Sequence, residues 1–124
     1  MQLCRDSEIE DGEAKGFVVP NPNPKAKFGQ RIFVVRWDNQ LKAYLNSCPH
    51  IGMPLDWTPD KFFAADDRHL ICATHGALFL PEDGLCVVGP CYGESLEKIE
   101  IAVEDGWIVY RGAEAPSASA ASAA

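Results

Sequence analysis

Two short stretches, Cys48-Pro49-His50 and Cys72-Ala73-Thr74-His75, constrain this chain more than anything else in it. Each pairs a soft thiolate with an imidazole, and the 21 residues 51–71 between them are long enough for one loop to fold back beside the other. Four metal ligands of two kinds can therefore converge on one place.

The order of the ligands says more than their number. A structural zinc site usually takes both cysteines from one tight knuckle and both histidines from a later segment, whereas here each loop brings one of each. A binuclear iron–sulfur core suits that order, with Cys48 and Cys72 on one iron and His50 and His75 on the other. The pattern resembles the Rieske family, whose signature is CxH followed by CxxH. The resemblance continues through Gly52, Pro54 and Leu55 after the first stretch and Gly76 after the second. Gly84 and Gly89-Pro90 then stand where the family carries a turn and a proline loop over its cluster. It covers about residues 16–111. The loop between the motifs is longer than in many Rieske ferredoxins, so the resemblance does not give the path of residues 56–68.

The resemblance implies an all-β fold: an antiparallel β-sandwich or barrel base carrying a small cluster-binding subdomain, with the cluster-binding loops at about residues 46–92. It implies one [2Fe-2S] cluster per chain, held by Cys48, His50, Cys72 and His75. High-potential members of the family brace their two loops with a cysteine pair and add a serine and a tyrosine hydroxyl near the cluster. The matching positions here are Met53 and Thr74, Ala77, and Phe79. With these devices missing, the more negative reduced cluster is less stabilised, which places the expected potential near the low end of the class span of roughly −150 to +300 mV. A low potential without a catalytic domain resembles the Rieske ferredoxins that carry single electrons from a flavin-type reductase to a terminal oxygenase. The implied role is electron transfer, with no catalytic site of the chain's own.

Composition narrows the partners. The chain has 124 residues, which suits one domain, and its 47% hydrophobic content is ordinary for a globular protein. A formal charge of −7 and a pI near 4.8 disfavour nucleic acid and anionic membranes as partners and suit a basic protein surface. The N-terminal residues lack the apolar core of a signal peptide, and nowhere do about 18 apolar residues run together, so a soluble, cytoplasmic chain is expected. In that compartment five cysteines point to metal before disulfides. Two serve as ligands. Of the rest, Cys4 reads as a free surface thiol, and Cys86 and Cys91 as two buried thiols in preference to a disulfide.

Along the chain, acidic residues 1–15 read as a solvated, poorly fixed segment ahead of a single domain over 16–112. Residues 16–20 suit a short strand, and the Asn-Pro repeat at 21–24 interrupts regular structure. Residues 31–37 and 41–45, joined by Asp38-Asn39-Gln40, predict a hairpin that delivers the first ligand stretch. Phe62-Phe63 should pack beneath the ligand loops, with His69 a surface side chain. Residues 78–80 and 85–88 form a second predicted hairpin around Asp83-Gly84. The period-two alternation of 96–103, turned by Glu104-Asp105-Gly106 into 107–110, predicts a third. Residues 113–124, almost entirely Ala and Ser, read as a disordered tail.

Two other readings use the same four ligands. One is a structural zinc module with no redox role. The other keeps the cluster and makes the chain a redox sensor or a small subunit of another reductase.

Overall fold

The computed structural model describes residues 1–21, 24–27, 29–47, 55, 62–66, 68–72 and 76–111. Among them are nine strands: β1 (Gln2–Arg5), β2 (Ala14–Val19), β3 (Gln30–Trp37), β4 (Gln40–Leu45), β5 (Leu70–Ile71), β6 (Leu78–Phe79), β7 (Cys86–Val88), β8 (Ile101–Glu104) and β9 (Trp107–Tyr110). A single 3-10 turn, Asp6–Glu8, follows β1. All strand pairs are antiparallel, in three sheets ordered β1-β9-β8, β2-β3-β4 and β5-β6-β7.

The middle sheet is the layer on which the other two rest, and β3 shows why. Successive side chains of a strand face opposite ways. Ile32 and Val34 therefore pack on one side with residues of β9, while Phe33 and Val35 pack on the other with Leu70, Cys72 and Phe79. All four are fully buried. A strand covered on both faces has no polar side to show, which is how the unbroken run Ile32-Phe33-Val34-Val35 reads. β4 repeats the pattern with Ala43 on the first side and Tyr44 on the second.

On the first side lies the sandwich with the β1-β9-β8 sheet, through Cys4, Ile9 and Ile108. On the second lies the small β5-β6-β7 sheet, where the Phe33 and Phe62 rings stack at 4.3 Å and the buried Tyr44 hydroxyl donates to the Pro81 carbonyl at 2.8 Å. Burial among these groups raises the Tyr44 phenol well above its ordinary pKa. The all-β base with a smaller subdomain thus agrees with the expected fold. The predicted hairpin at 31–45 is present, its Asp38-Asn39 turn having positive φ at both residues (52° and 62°) as a tight primed turn requires. The second hairpin is present as β6–β7 and the last as β8–β9.

Three expectations need correction. Residues 1–15 are not poorly fixed: β1 pairs with β9 and β2 begins at Ala14. Arg36 donates from Nε to the Ile9 carbonyl at 2.7 Å and from Nη2 to the Asp6 carbonyl at 3.0 Å, and it also pairs with the Asp6 carboxylate. The acidic residues stand on the outside of a segment that Leu3, Cys4 and Ile9 anchor. Cys4, in consequence, is not a surface thiol; it is 4% exposed, and burial pushes its thiol pKa up. Finally, β8 starts only at Ile101. Residues 96–100 instead cross from the small sheet to β4, with Leu96 N–H on Gly84, Leu45 N–H on Glu97 and Ile99 N–H on Ala43. The Ala/Ser segment 113–124 lies outside the described residues.

Candidate metal centre

The strands that lead to the two ligand stretches in sequence are β4 and β5. β4 ends at Leu45, and the next residues are held at once: Asn46 N–H donates to Arg31 O at 2.9 Å, and Ser47 N–H to Leu45 O at 2.9 Å. The Asn46 side chain then reaches forward, its Oδ1 accepting the Leu55 N–H at 2.8 Å. Residues 47–54, which include Cys48 and His50, are spanned by this one bond. Asn46 is 7% exposed and Leu55 fully buried, so the clamp works in a setting where an unpaired amide would cost about 1–3 kcal/mol.

The second stretch connects β5 to β6, whose register is Leu70↔Phe79 and Ile71↔Leu78. Cys72 N–H donates to Ala77 O at 2.9 Å, and Gly76 N–H to Cys72 O at 2.8 Å. Gly76 has φ +70°, a left-handed turn that a side chain would strain. These two bonds tie Cys72 to Gly76 and Ala77, on either side of residues 73–75, among which His75 stands in the sequence. Cys72 itself is completely buried.

Leu55, Cys72 and Ala77 share one apolar cluster with Phe62 and Phe79, so the anchored ends of the two loops meet on a common floor. Phe62 lies there as expected, and Phe63 beside it pairs with Leu70 and stacks on Trp37 at 5.7 Å. A third segment comes close against Ala77. A Cβ built on Gly89 would fall 2.8 Å from Ala77 Cα, so only glycine admits this approach, at φ +111°. His69 precedes β5 and is 28% exposed at its side chain, its Nδ1 2.7 Å from Asp66 Oδ2. The Arg68 N–H and the His69 ring hold the Asp66 carboxyl down at about 2.

Of the four expected ligands, Cys72 is described; Cys48, His50 and His75 lie outside the described residues, as do Met53 and Thr74. Among the described residues no three His, Cys, Asp or Glu side chains gather as a metal site.

The Rieske [2Fe-2S] domain matches residues 1–104. The chain belongs to the Rieske family. Its cofactor is a [2Fe-2S] cluster, and the residues present fit that group: a buried soft thiol at Cys72, in a backbone-pinned loop, with a second thiolate and two imidazoles in the sequence between anchored ends. No match is found among curated proteins. Among solved structures, this Rieske chain is similar to the ferredoxin of carbazole 1,9a-dioxygenase from Nocardioides aromaticivorans IC177. The identity is 21% and the TM-score 0.65, over 89% of this chain and 94% of that one. It is likewise similar to the Sphingomonas yanoikuyae B1 ferredoxin, at 23% identity and TM-score 0.62, over 89% and 95%. In a reduced complex between oxygenase and ferredoxin of carbazole 1,9a-dioxygenase, the match has 19% identity and TM-score 0.68, with 89% of this chain on only 27% of the other. At these identities the likeness is one of fold. The Rieske domain model reaches back to residue 1, in keeping with the place of β1 in the sheet.

Sequence reasoning pointed to the family and missed the bonds that anchor the chain beside the expected ligand stretches. Asn46 stands two residues before Cys48 and reads as any turn asparagine. The resemblance marks Gly89-Pro90 as a loop, but nothing in the sequence shows that Gly89 rests against Ala77.

Proposed function

We propose that this protein is a one-electron carrier that delivers electrons to a terminal oxygenase, taking them from a flavin-type reductase. Cys48 and Cys72 hold one iron, and His50 and His75 the other. The observation that carries the reading is the near end-to-end correspondence with a dioxygenase ferredoxin, 89% of one chain on 94% of the other. A fold likeness to a complex of oxygenase and ferredoxin supports the choice of acceptor.

The bound cluster supplies a site that gains and loses one electron. The chain's part is to hold it still: the Asn46–Leu55 clamp and the bonds of Cys72 with Gly76 and Ala77 tie the described ends of both ligand stretches, an arrangement suited to small reorganisation on transfer. The imidazoles of His50 and His75 give the exit to a docked acceptor, and deprotonation of their second nitrogens makes the potential fall as pH rises. The domain spans residues 16–112 together with the anchored N-terminal strand. A soluble, cytoplasmic protein suits the role, and among the described residues no helix is long and apolar enough to cross a membrane.

An electron paramagnetic resonance spectrum of the reduced protein, with iron, sulfide and zinc content, tests the ligand set. The expected result is an anisotropic mixed histidine–cysteine signal with two irons and two sulfides per chain. An all-cysteine type of signal, or one zinc per chain, would overturn it. Stopped-flow reduction by a flavin reductase, then reoxidation by a terminal oxygenase, tests the carrier role; a reduced protein that no oxygenase reoxidises counts against it.

A further inference from the structure

Cys86 and Cys91 are 1% and 0% exposed, and their sulfur atoms lie 3.0 Å apart, closer than sulfurs that merely pack together. Cys86 opens β7 and is its one buried residue, and Cys91 sits in the turn that brings the chain back beside it. Cys86 N–H donates to Glu94 O at 2.8 Å, Gly93 N–H to Cys86 O at 3.0 Å, and Glu94 N–H to Cys91 O at 2.8 Å. These bonds hold the two residues face to face. A disulfide of about 2.05 Å needs only about 1 Å of further closure. The chain beside the pair runs at the surface, with Val88, Gly89, Pro90 and Tyr92 exposed. Neither sulfur belongs to the ligand set.

We infer that Cys86 and Cys91 form a reversible dithiol–disulfide site whose oxidant is a small peroxide. One sulfur, as thiolate, attacks the O–O bond, giving a sulfenic acid and releasing one water after proton uptake. The second sulfur then displaces the sulfenic oxygen as the second water, and the S–S bond forms. Two thiols lose two protons and two electrons, and one peroxide takes up both to become two waters. A dithiol reductant reverses the step by exchange.

The bond matters to the cluster because of what lies between the cysteines. Gly89 is the residue seated on Ala77 of the second ligand loop. Linking Cys86 to Cys91 closes a ring around that contact and restrains the segment from lifting away. The oxidised protein should therefore lose its cluster to a chelator more slowly than the dithiol form.

The test treats the holoprotein with hydrogen peroxide at doses that leave the visible absorption of the cluster unchanged. The protein is then denatured in acid, alkylated and digested with trypsin. The peptide His69–Lys98 holds Cys72, Cys86 and Cys91. Its labels should fall from three to one, at Cys72, with a loss of two hydrogen masses, and dithiothreitol should restore all three. Cys91→Ser should abolish the two-hydrogen loss; should that variant not fold, the wild-type digest decides. Three labels throughout, oxygen added to Cys86 or Cys91 in place of hydrogen loss, or bleaching of the cluster before the pair closes would each overturn the inference. Because Cys72 is scored separately from the pair, and iron content is followed alongside, failure of the ligand assignment shows up as a different result.

Discussion

On the proposed ligand set, Ala77 occupies the position at which high-potential Rieske proteins carry a serine hydroxyl. It is fully buried, its carbonyl takes the Cys72 N–H, and its Cβ lies under Gly89. Ala77→Ser puts a donor at that place, and a hydrogen bond favouring the reduced state by about 1.4 kcal/mol raises a one-electron potential by roughly 60 mV. Redox titration should show that rise; an unchanged potential removes the argument from missing hydroxyls. Asp66 gives a second prediction at this scale. Its folded carboxyl lies at about 2, below the ordinary 3.8. Its contribution to stability is therefore complete above pH 4 and is lost as pH falls through 2. Asp66→Asn should flatten the melting temperature in that window relative to the wild type, and parallel curves would contradict it. The family and its [2Fe-2S] cluster were legible in the sequence because metal chemistry demands particular atoms at particular spacings. The Asn46 clamp was not, since its value comes from burial beside Leu55, nine residues on.

At the scale of elements, turns were read more reliably than strands. Asp38-Asn39 and Asp105-Gly106 adopt the positive φ that their residue types allow, and their hairpins lie where expected. The alternation of residues 96–103 misplaced a strand start because period two records which side chains are covered, not which sheet covers them. Leu96 packs with the small sheet and Ile101 with the sandwich, so the chain changes partners between them. Gly89 supplies the prediction here. Gly89→Ala adds a strained φ and a contact inside 3 Å with Ala77 backbone, together about 2–4 kcal/mol. Thermal unfolding should shift down accordingly, with cluster loss coming earlier in the transition; a variant as stable as the wild type would mean that the loop does not rest on Ala77.

For the whole molecule, charge sets the approach of partners. Between Ser47 and Ser95 there are seven acidic residues against Lys61 and Arg68, within a chain of net charge −7. If a basic partner docks there, raising salt to about 0.5 M should slow reduction by roughly tenfold, and a flat response would exclude steering. The layered plan was legible only in part: the unbroken apolar run of β3 signals burial on both faces, while the anchoring of residues 1–9 by Arg36 depends on a contact between distant segments. That anchoring has a consequence for how the protein keeps to itself. β1 covers the hydrogen-bonding rim of β9, with Tyr110 N–H on Met1 O at 2.7 Å. Removing residues 1–5 would bare a row of unmet donors and acceptors along Trp107–Tyr110, a template on which a second copy can add its own strand. The shortened chain should self-associate with rising concentration in sedimentation where the full chain does not, making this first strand the molecule's guard against its own kind.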